Sequence, residues 1–296
     1  MAPAAQKRLT HAHFSQSADL SDPGTLAARR TPASLGLVRI TSLGFRTDVA
    51  LRVLEGAEVT ERGGYLVVRT PGHPDFWWGN FLLLARVPRP GEAAAWLARF
   101  AAEFPAARHV ALGVDTADDV PLPEDLVATG LDTERAAVLT ATQPNPPARP
   151  RTEAEIRPLD SDADWRQSVE LAIRCFDGED PGFLERRAAA RRRVTQAGHG
   201  AWFGAFTGGL LQAQLGLFDA GGGCARYQHV ETDPRARRRG LAGTLLWAAG
   251  RYGREVLGAR TFVIVADPAD AAIRVYQACG FTPRQRQLSL ERPPPE

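Results

Sequence analysis

The chain has 296 residues, enough for two domains of ordinary size, and is 44% hydrophobic and 24% charged. A formal net charge of +2 is too small for a general nucleic-acid binder, and no apolar run is long enough to cross a bilayer or to read as a secretory signal. Cys175, Cys224 and Cys279 stand far apart without a C-x-x-C spacing, which excludes a disulfide framework and a zinc ribbon. A cytoplasmic enzyme with no metal, membrane or nucleic-acid partner is the expectation.

Residues 1–35 carry few large apolar side chains and no period, and read as a loose arm. Strand-like runs follow at 65–70 and 78–86. A helix is expected from 92 to about 104, entered by Pro90-Gly91 and ended before Pro105. The apolar run 109–115 suits a buried strand, 123–129 a short helix and 135–142 a closing strand. These make a first domain over 36–142. The proline-rich stretch 143–150 reads as a semi-rigid linker near the midpoint. The second domain, 151–296, opens with a short strand at 155–158. Helices follow from Asp162 to about 176 and over 183–197, the second strongly basic on its exposed side. Runs 201–207 and 210–217 form a hairpin around Thr207-Gly208-Gly209. Then come a strand at 224–232, a helix from about 240 to 257, a strand at 261–266, a helix at 269–279 and a closing strand near 285–290. The order predicts a mixed α/β fold in each half, with a mostly antiparallel sheet flanked by helices.

The informative stretch runs from Val230 to Leu246, where a strand ends, an arginine-rich turn follows, and small residues open a long helix. Gly240, Ala242 and Gly243 let a ligand approach the backbone, and the first amides of a helix have no internal partner. With the helix dipole they make an anion site, to which Arg235, Arg237, Arg238 and Arg239 can add charge-assisted bonds. Lys7 is the sole lysine, so nearly all positive charge is carried by planar arginine forks suited to phosphate.

Arg237-Arg-Arg-Gly240-Leu-Ala242 resembles the pyrophosphate loop Arg/Gln-x-x-Gly-x-Gly/Ala of the GNAT superfamily of acyl-CoA-dependent acyltransferases. Ala272, Tyr276, Gly280 and Phe281 match its later signature, Ala-x-x-x-Tyr-x-x-x-Gly-Phe. Spacing and element order agree over about 140 residues, from Glu153 to Arg292. The resemblance implies a GNAT-like fold and acetyl-CoA as co-substrate. Its pyrophosphate would rest on Arg237, Arg238, Arg239, Gly240, Leu241, Ala242, Gly243 and Thr244, and its pantetheine arm would bond Val230, Glu231 and Thr232 like an added strand. Tyr276 would give its proton to the departing thiolate, a role a phenol with a pKa near 10 can fill beside a thiol near 8.5. Many relatives carry Asn where this chain has Ala269, which removes one polar contact to the arm.

The general base is harder to read. An alkylamine with a pKa of about 10.4 is neutral to roughly 1 part in 2,500 at pH 7, a deficit of about 4.6 kcal/mol. Relatives often relieve it with Glu or His on the strand before the loop. By family spacing those positions are Arg226 and Gln228, and neither is a base. His229 and Glu231 lie on the opposite alternation of an ideal strand, and a bulge would reverse their facing. The acceptor, an amine on a small molecule or peptide, is expected against the segment joining the first two helices, where Asp177, Glu179 and Asp180 attract a cation.

The first half repeats the second in outline, yet Pro88 and Pro90 have no amide proton to offer a phosphate. It reads as a degenerate GNAT-like domain in a tandem arrangement. Its run Phe76-Trp77-Trp78 with Asn80 either lines a substrate groove or packs. The expected activity is N-acetyl transfer. The alternative is a sensor that binds acyl-CoA without turnover, suggested by the lack of an obvious base.

Overall fold

The computed structural model describes residues 40–148, 153–176 and 178–294, which divide into two units. The first comprises the described residues up to Val138 together with Arg284 onward; the second runs from Leu139 to Pro283. The N-terminal arm lies outside the described residues. Among those described, no helix is long and apolar enough to cross a membrane.

The first unit opens with α1 (Leu43–Leu54), for which the sequence offered no clear signal. The hydroxyl of Ser42 caps it, accepting from the Phe45 amide. The Phe45 ring is buried above Gly113, where a Cβ would stand 2.6 Å from it. β1 (Glu58–Arg62) was also missed, because an edge strand reading Glu-Val-Thr-Glu-Arg has no apolar alternation to show. β2 (Tyr65–Arg69) and β3 (Phe81–Leu84) follow, then α2 (Ala93–Glu103), β4 (Val110–Val114), α3 (Glu124–Val127) and β5 (Asp132–Ala141), which crosses the boundary between units. Neighbours run β1-β2-β3-β4 and then the chain's final strand, β11 (Thr282–Arg292). β3 and β4 are parallel, joined by α2, and stay paired to the last residue of β3, Leu84↔Val114.

The aromatic run is packing. Trp77 is buried and stacks on the His109 ring at 6.1 Å, and Trp78 donates through Nε1 to Glu291 at 2.7 Å. The Asn80 amide donates to the carbonyls of His73 and Phe76 and accepts from Thr70 N–H. Trp77–Gly79 is a 3₁₀ turn, so β3 begins at Phe81 rather than at Trp78.

The domain boundary also needs correction at the C-terminus. β11 pairs antiparallel with β4, from Leu288↔Val114 to Arg292↔Val110, and so belongs mostly to the first unit. Leu288 and Leu290 are buried in that unit's core, each worth about 2 kcal/mol in area removed from water. A chain stopped after Pro283 is expected to lose the thermal transition of the first unit, measurable by calorimetry. An unchanged transition would contradict the assignment of this strand. The stretch expected to be a linker is held at its start: Asn145 N–H donates to the Cys279 carbonyl at 2.8 Å.

The second unit contains β6 (Glu155–Pro158), α4 (Asp162–Cys175), α5 (Pro181–Gln196), β7 (Gly200–Thr207), β8 (Leu210–Asp219), β9 (Cys224–Thr232), α6 (Leu241–Glu255), β10 (Thr261–Ala266) and α7 (Ala272–Ala278). Its strands lie in the order β10-β9-β8-β7-β6, antiparallel except for β9 with β10. Ser161 caps α4, in a capping box closed by Asp164. Alternation along the strands sorts their side chains. Phe203 meets Tyr252 of α6, and Tyr227 donates its hydroxyl proton to Leu246 O of the same helix. Trp202 and Gln214 point the other way, to Arg191 of α5 and Ser168 of α4.

Candidate active site

Two features of β9 shape the site. Its parallel ladder with β10 registers only Cys224–Arg226 against Thr261–Val263. Beyond Arg226 no pairing with β10 continues among the described residues, although β9 runs on to Thr232. Val230, Glu231 and Thr232 therefore lie where β9 has no strand partner on its β10 side among the described residues. The equivalent parallel pair in the first unit, β3 with β4, is closed to its end.

The second feature is a bulge. β8 residues Gln214 and Gly216 pair with Glu231 and Gln228, so three steps on β9 match two on β8. The extra residue is absorbed at His229, whose φ is +43°. Residues opposite each other in an antiparallel ladder project to one face, so Gln228 and Glu231 share the α4–α5 side. An unbulged strand would have turned Glu231 toward α6.

Glu231 is 2% exposed, and its Oε2 accepts from Gln214 Nε2 at 2.5 Å. Its Oε1 has no hydrogen-bond donor among the described residues and stands 3.8 Å from His229 Nδ1. Burial raises the carboxyl to about 7, against the opposing pull of the Arg191 charge and the Gln214 hydrogen bond. A carboxylate at that value is a proton acceptor matched to neutral pH.

The turn into α6 leaves the start of that helix without a side-chain cap. Gly240 is the N-cap of α6 at φ +66°, with Arg238 at +60°, and no side chain caps the helix or places acid in its first turn. Arg237, Arg238 and Arg239 are exposed around it. The guanidinium of Arg235 is paired with Asp233 at 2.7 Å. In the first unit the matching position is filled from within. Asp125 Oδ2 accepts from the amides of Gly91 and Ala93 at 3.0 and 3.1 Å. Glu92 accepts from Arg89 N–H and from both terminal nitrogens of Arg86, and these bonds hold its carboxyl down at about 2. Two carboxylates already occupy the donors that a diphosphate would need.

Tyr276 of α7 is fully buried, and its hydroxyl has no partner among the described residues. An orphaned buried hydroxyl costs roughly 1–3 kcal/mol, so a partner brought by a ligand would recover that cost. Burial, with Asp270 and Cys279 nearby, holds its proton well above the ordinary tyrosine range. Cys175 is no nucleophile: its thiol donates to Thr232 O at 3.3 Å, and burial pushes it up to about 12.

Of the acidic segment, Asp177 lies outside the described residues. Asp180 is the N-cap of α5, accepting from the Gly182 and Phe183 amides. Glu179 is half-buried, and burial followed by Asp180 raises its carboxyl.

Residues 165–281 match the family model described as Acetyltransferase (GNAT) family. This segment is a GNAT acetyltransferase domain. The matched segment is 117 residues of the 296-residue chain. Its fold is similar to that of several solved structures. A functionally unknown conserved protein from Staphylococcus epidermidis ATCC 12228 gives a TM-score of 0.65 at 11% identity, covering 81% of this chain and 95% of that one. A GCN5-related N-acetyltransferase from Kribbella flavida gives 0.54 at 16%, covering 85% and 97%. One from Sphaerobacter thermophilus gives 0.52 at 18%, covering 77% and 80%. No curated protein matches the chain. Within the acetyltransferase domain, sequence reasoning missed Ser168, Trp202, Gln214 and Arg191 around Glu231. The available signal was Gln214 at the head of the buried apolar run 215–218 of β8.

Proposed function

We propose that the chain is an N-acetyltransferase that moves an acetyl group from acetyl-CoA to an amine of a small molecule or peptide, with the donor held by the second unit alone. The bulge at His229 carries this reading, because it gives the domain the base that family spacing withholds. Acetyl-CoA supplies an acyl group activated as a thioester. The open start of α6 and the orphaned Tyr276 hydroxyl both fit such a donor. The amides at the start of α6 bind the diphosphate with Arg237, Arg238 and Arg239 around it, and the free edge of β9 aligns the arm.

Glu231 Oε1 accepts the proton of the attacking amine. Against an ammonium near 10.4, an ordinary carboxyl is about six pKa units too acidic; a value of about 7 narrows the gap to about three, or roughly 3 kcal/mol less work. Tyr276 keeps its proton until a thiolate arrives beside it. With Cys175 inert, attack is direct, without an acyl-enzyme. In this reading Glu231 is the base whose absence motivates the sensor alternative.

Gly240→Asp is expected to weaken acetyl-CoA binding at least tenfold, about 1.4 kcal/mol, by calorimetry. Asp tolerates the left-handed backbone, so the fold should survive while a carboxylate meets the diphosphate. Unchanged affinity would remove the start of α6 as the donor site. The acceptor is tested with acetyl-CoA and a panel of primary amines, amino sugars and peptides, read as acetylated products by mass spectrometry.

A further inference from the structure

Gln214 lies at the centre of a buried network that the proton-transfer chemistry above does not yet use. Its side chain is wholly inaccessible, and its amide orientation is fixed by chemistry rather than by choice. The indole of Trp202 can only donate, and its Nε1 lies 3.0 Å from Gln214 Oε1. Ser168 Oγ donates to that same oxygen at 2.5 Å. The amide nitrogen must therefore face the other way, where it donates to Ser168 O at 3.1 Å and to Glu231 Oε2 at 2.5 Å. All four hydrogen-bonding positions of the amide are used. One oxygen of the Glu231 carboxylate is fixed, and the other has no donor among the described residues.

We propose that Gln214, oriented by Trp202 and Ser168, is the positioning residue for Glu231: it holds Oε2 and so presents Oε1 as the atom that takes the proton. This rests on the reading of Glu231 as the base. The step moves one proton, from the amine nitrogen to Oε1, while the Gln214 N–H remains bonded to Oε2 throughout. Other charged or titratable groups around the carboxylate are Arg191 from α5, Cys175 from α4 and His229 from β9 itself. Arg191 lies over the Trp202 ring at 4.7 Å, so the indole that orients the amide also supports the cation opposing burial. Because Gln214 donates to the ionised carboxylate, its removal must make Glu231 harder to ionise.

The test uses the full chain, with the Glu231 carboxyl carbon followed by ¹³C NMR through a pH titration and assigned by its loss in Glu231→Gln. Gln214→Met keeps length and removes all four hydrogen bonds. Gln214→Glu keeps the shape and the acceptor for Trp202 and Ser168 while replacing the donor with an oxygen, and so stands in should the first variant fail to fold. Both are expected to raise the Glu231 titration by about one unit or more and to shift the acid limb of kcat/KM equally. In Gln214→Met, kcat should fall at least tenfold with the KM for acetyl-CoA unchanged. In a Glu231→Gln background, Gln214→Met should cost nothing further. A titration that stays put in both variants, or an equal loss of kcat in the Glu231→Gln background, overturns the role of Gln214. Full activity in Glu231→Gln overturns the base itself, whatever Gln214 does.

Discussion

Glu231→Gln is expected to lower kcat/KM for amine acetylation by roughly 10²–10⁴, the usual range for loss of a positioned proton acceptor. The same variant should be more stable than the parent at alkaline pH, because the parent must carry an ionised carboxylate that is only 2% exposed. The folded-state value of about 7 lies above the usual 4.5, so the unfolded chain releases this proton first as pH rises. Parent stability from this group is therefore complete below about 4.5, falls between about 4.5 and 7, and stays reduced above that. The gain from Gln should open over the same window and reach a few kcal/mol on its upper side. Paired thermal melts at pH 5 and pH 8.5 check it. A structural glutamate would give the reverse sign, since its loss would destabilise.

Tyr276→Phe should lower turnover by a similar 10²–10⁴ with acetyl-CoA binding retained, because only the hydroxyl proton is removed. The parent pays for burying that hydroxyl without a partner, so Phe should also raise the melting temperature of the ligand-free chain slightly. Unaltered kcat with a native-like transition would leave Tyr276 as core packing alone. Measuring kcat beside the calorimetric Kd separates the two outcomes.

Much of the second unit was readable because its elements carry strong local signals. The hairpin turn at Gly208-Gly209, the small residues opening α6, and the apolar run that became β10 each announce themselves within ten residues. The elements that escaped reading are those whose reason is tertiary. α1 buries Thr47 and Arg52 along with Phe45, which blurs its apolar stripe. β1 is an exposed edge, and the assignment of β11 to the first unit depends on a partner strand about 180 residues earlier. The site divides in the same way. The uncapped start of α6 follows from backbone chemistry at one turn and was legible. Glu231 was legible as a residue but not as a group facing α4 and α5, because one inserted step at His229 decides its direction. Gln214 matters only through what it touches across strands. The expectation that the first unit holds no diphosphate comes from two prolines, and the structure adds two carboxylates, Glu92 and Asp125, that accept from amides at the same turn.

The most direct measurement is release of free thiol from acetyl-CoA by the full chain, with and without the amine panel, across pH 5.5–8.5. The expected result is acceptor-dependent release whose rate climbs with pH through about 7, where Glu231 ionises. Tight acetyl-CoA binding with no release above the acceptor-free control, for any amine at any of these pH values, would contradict it and leave a module that binds the donor without using it.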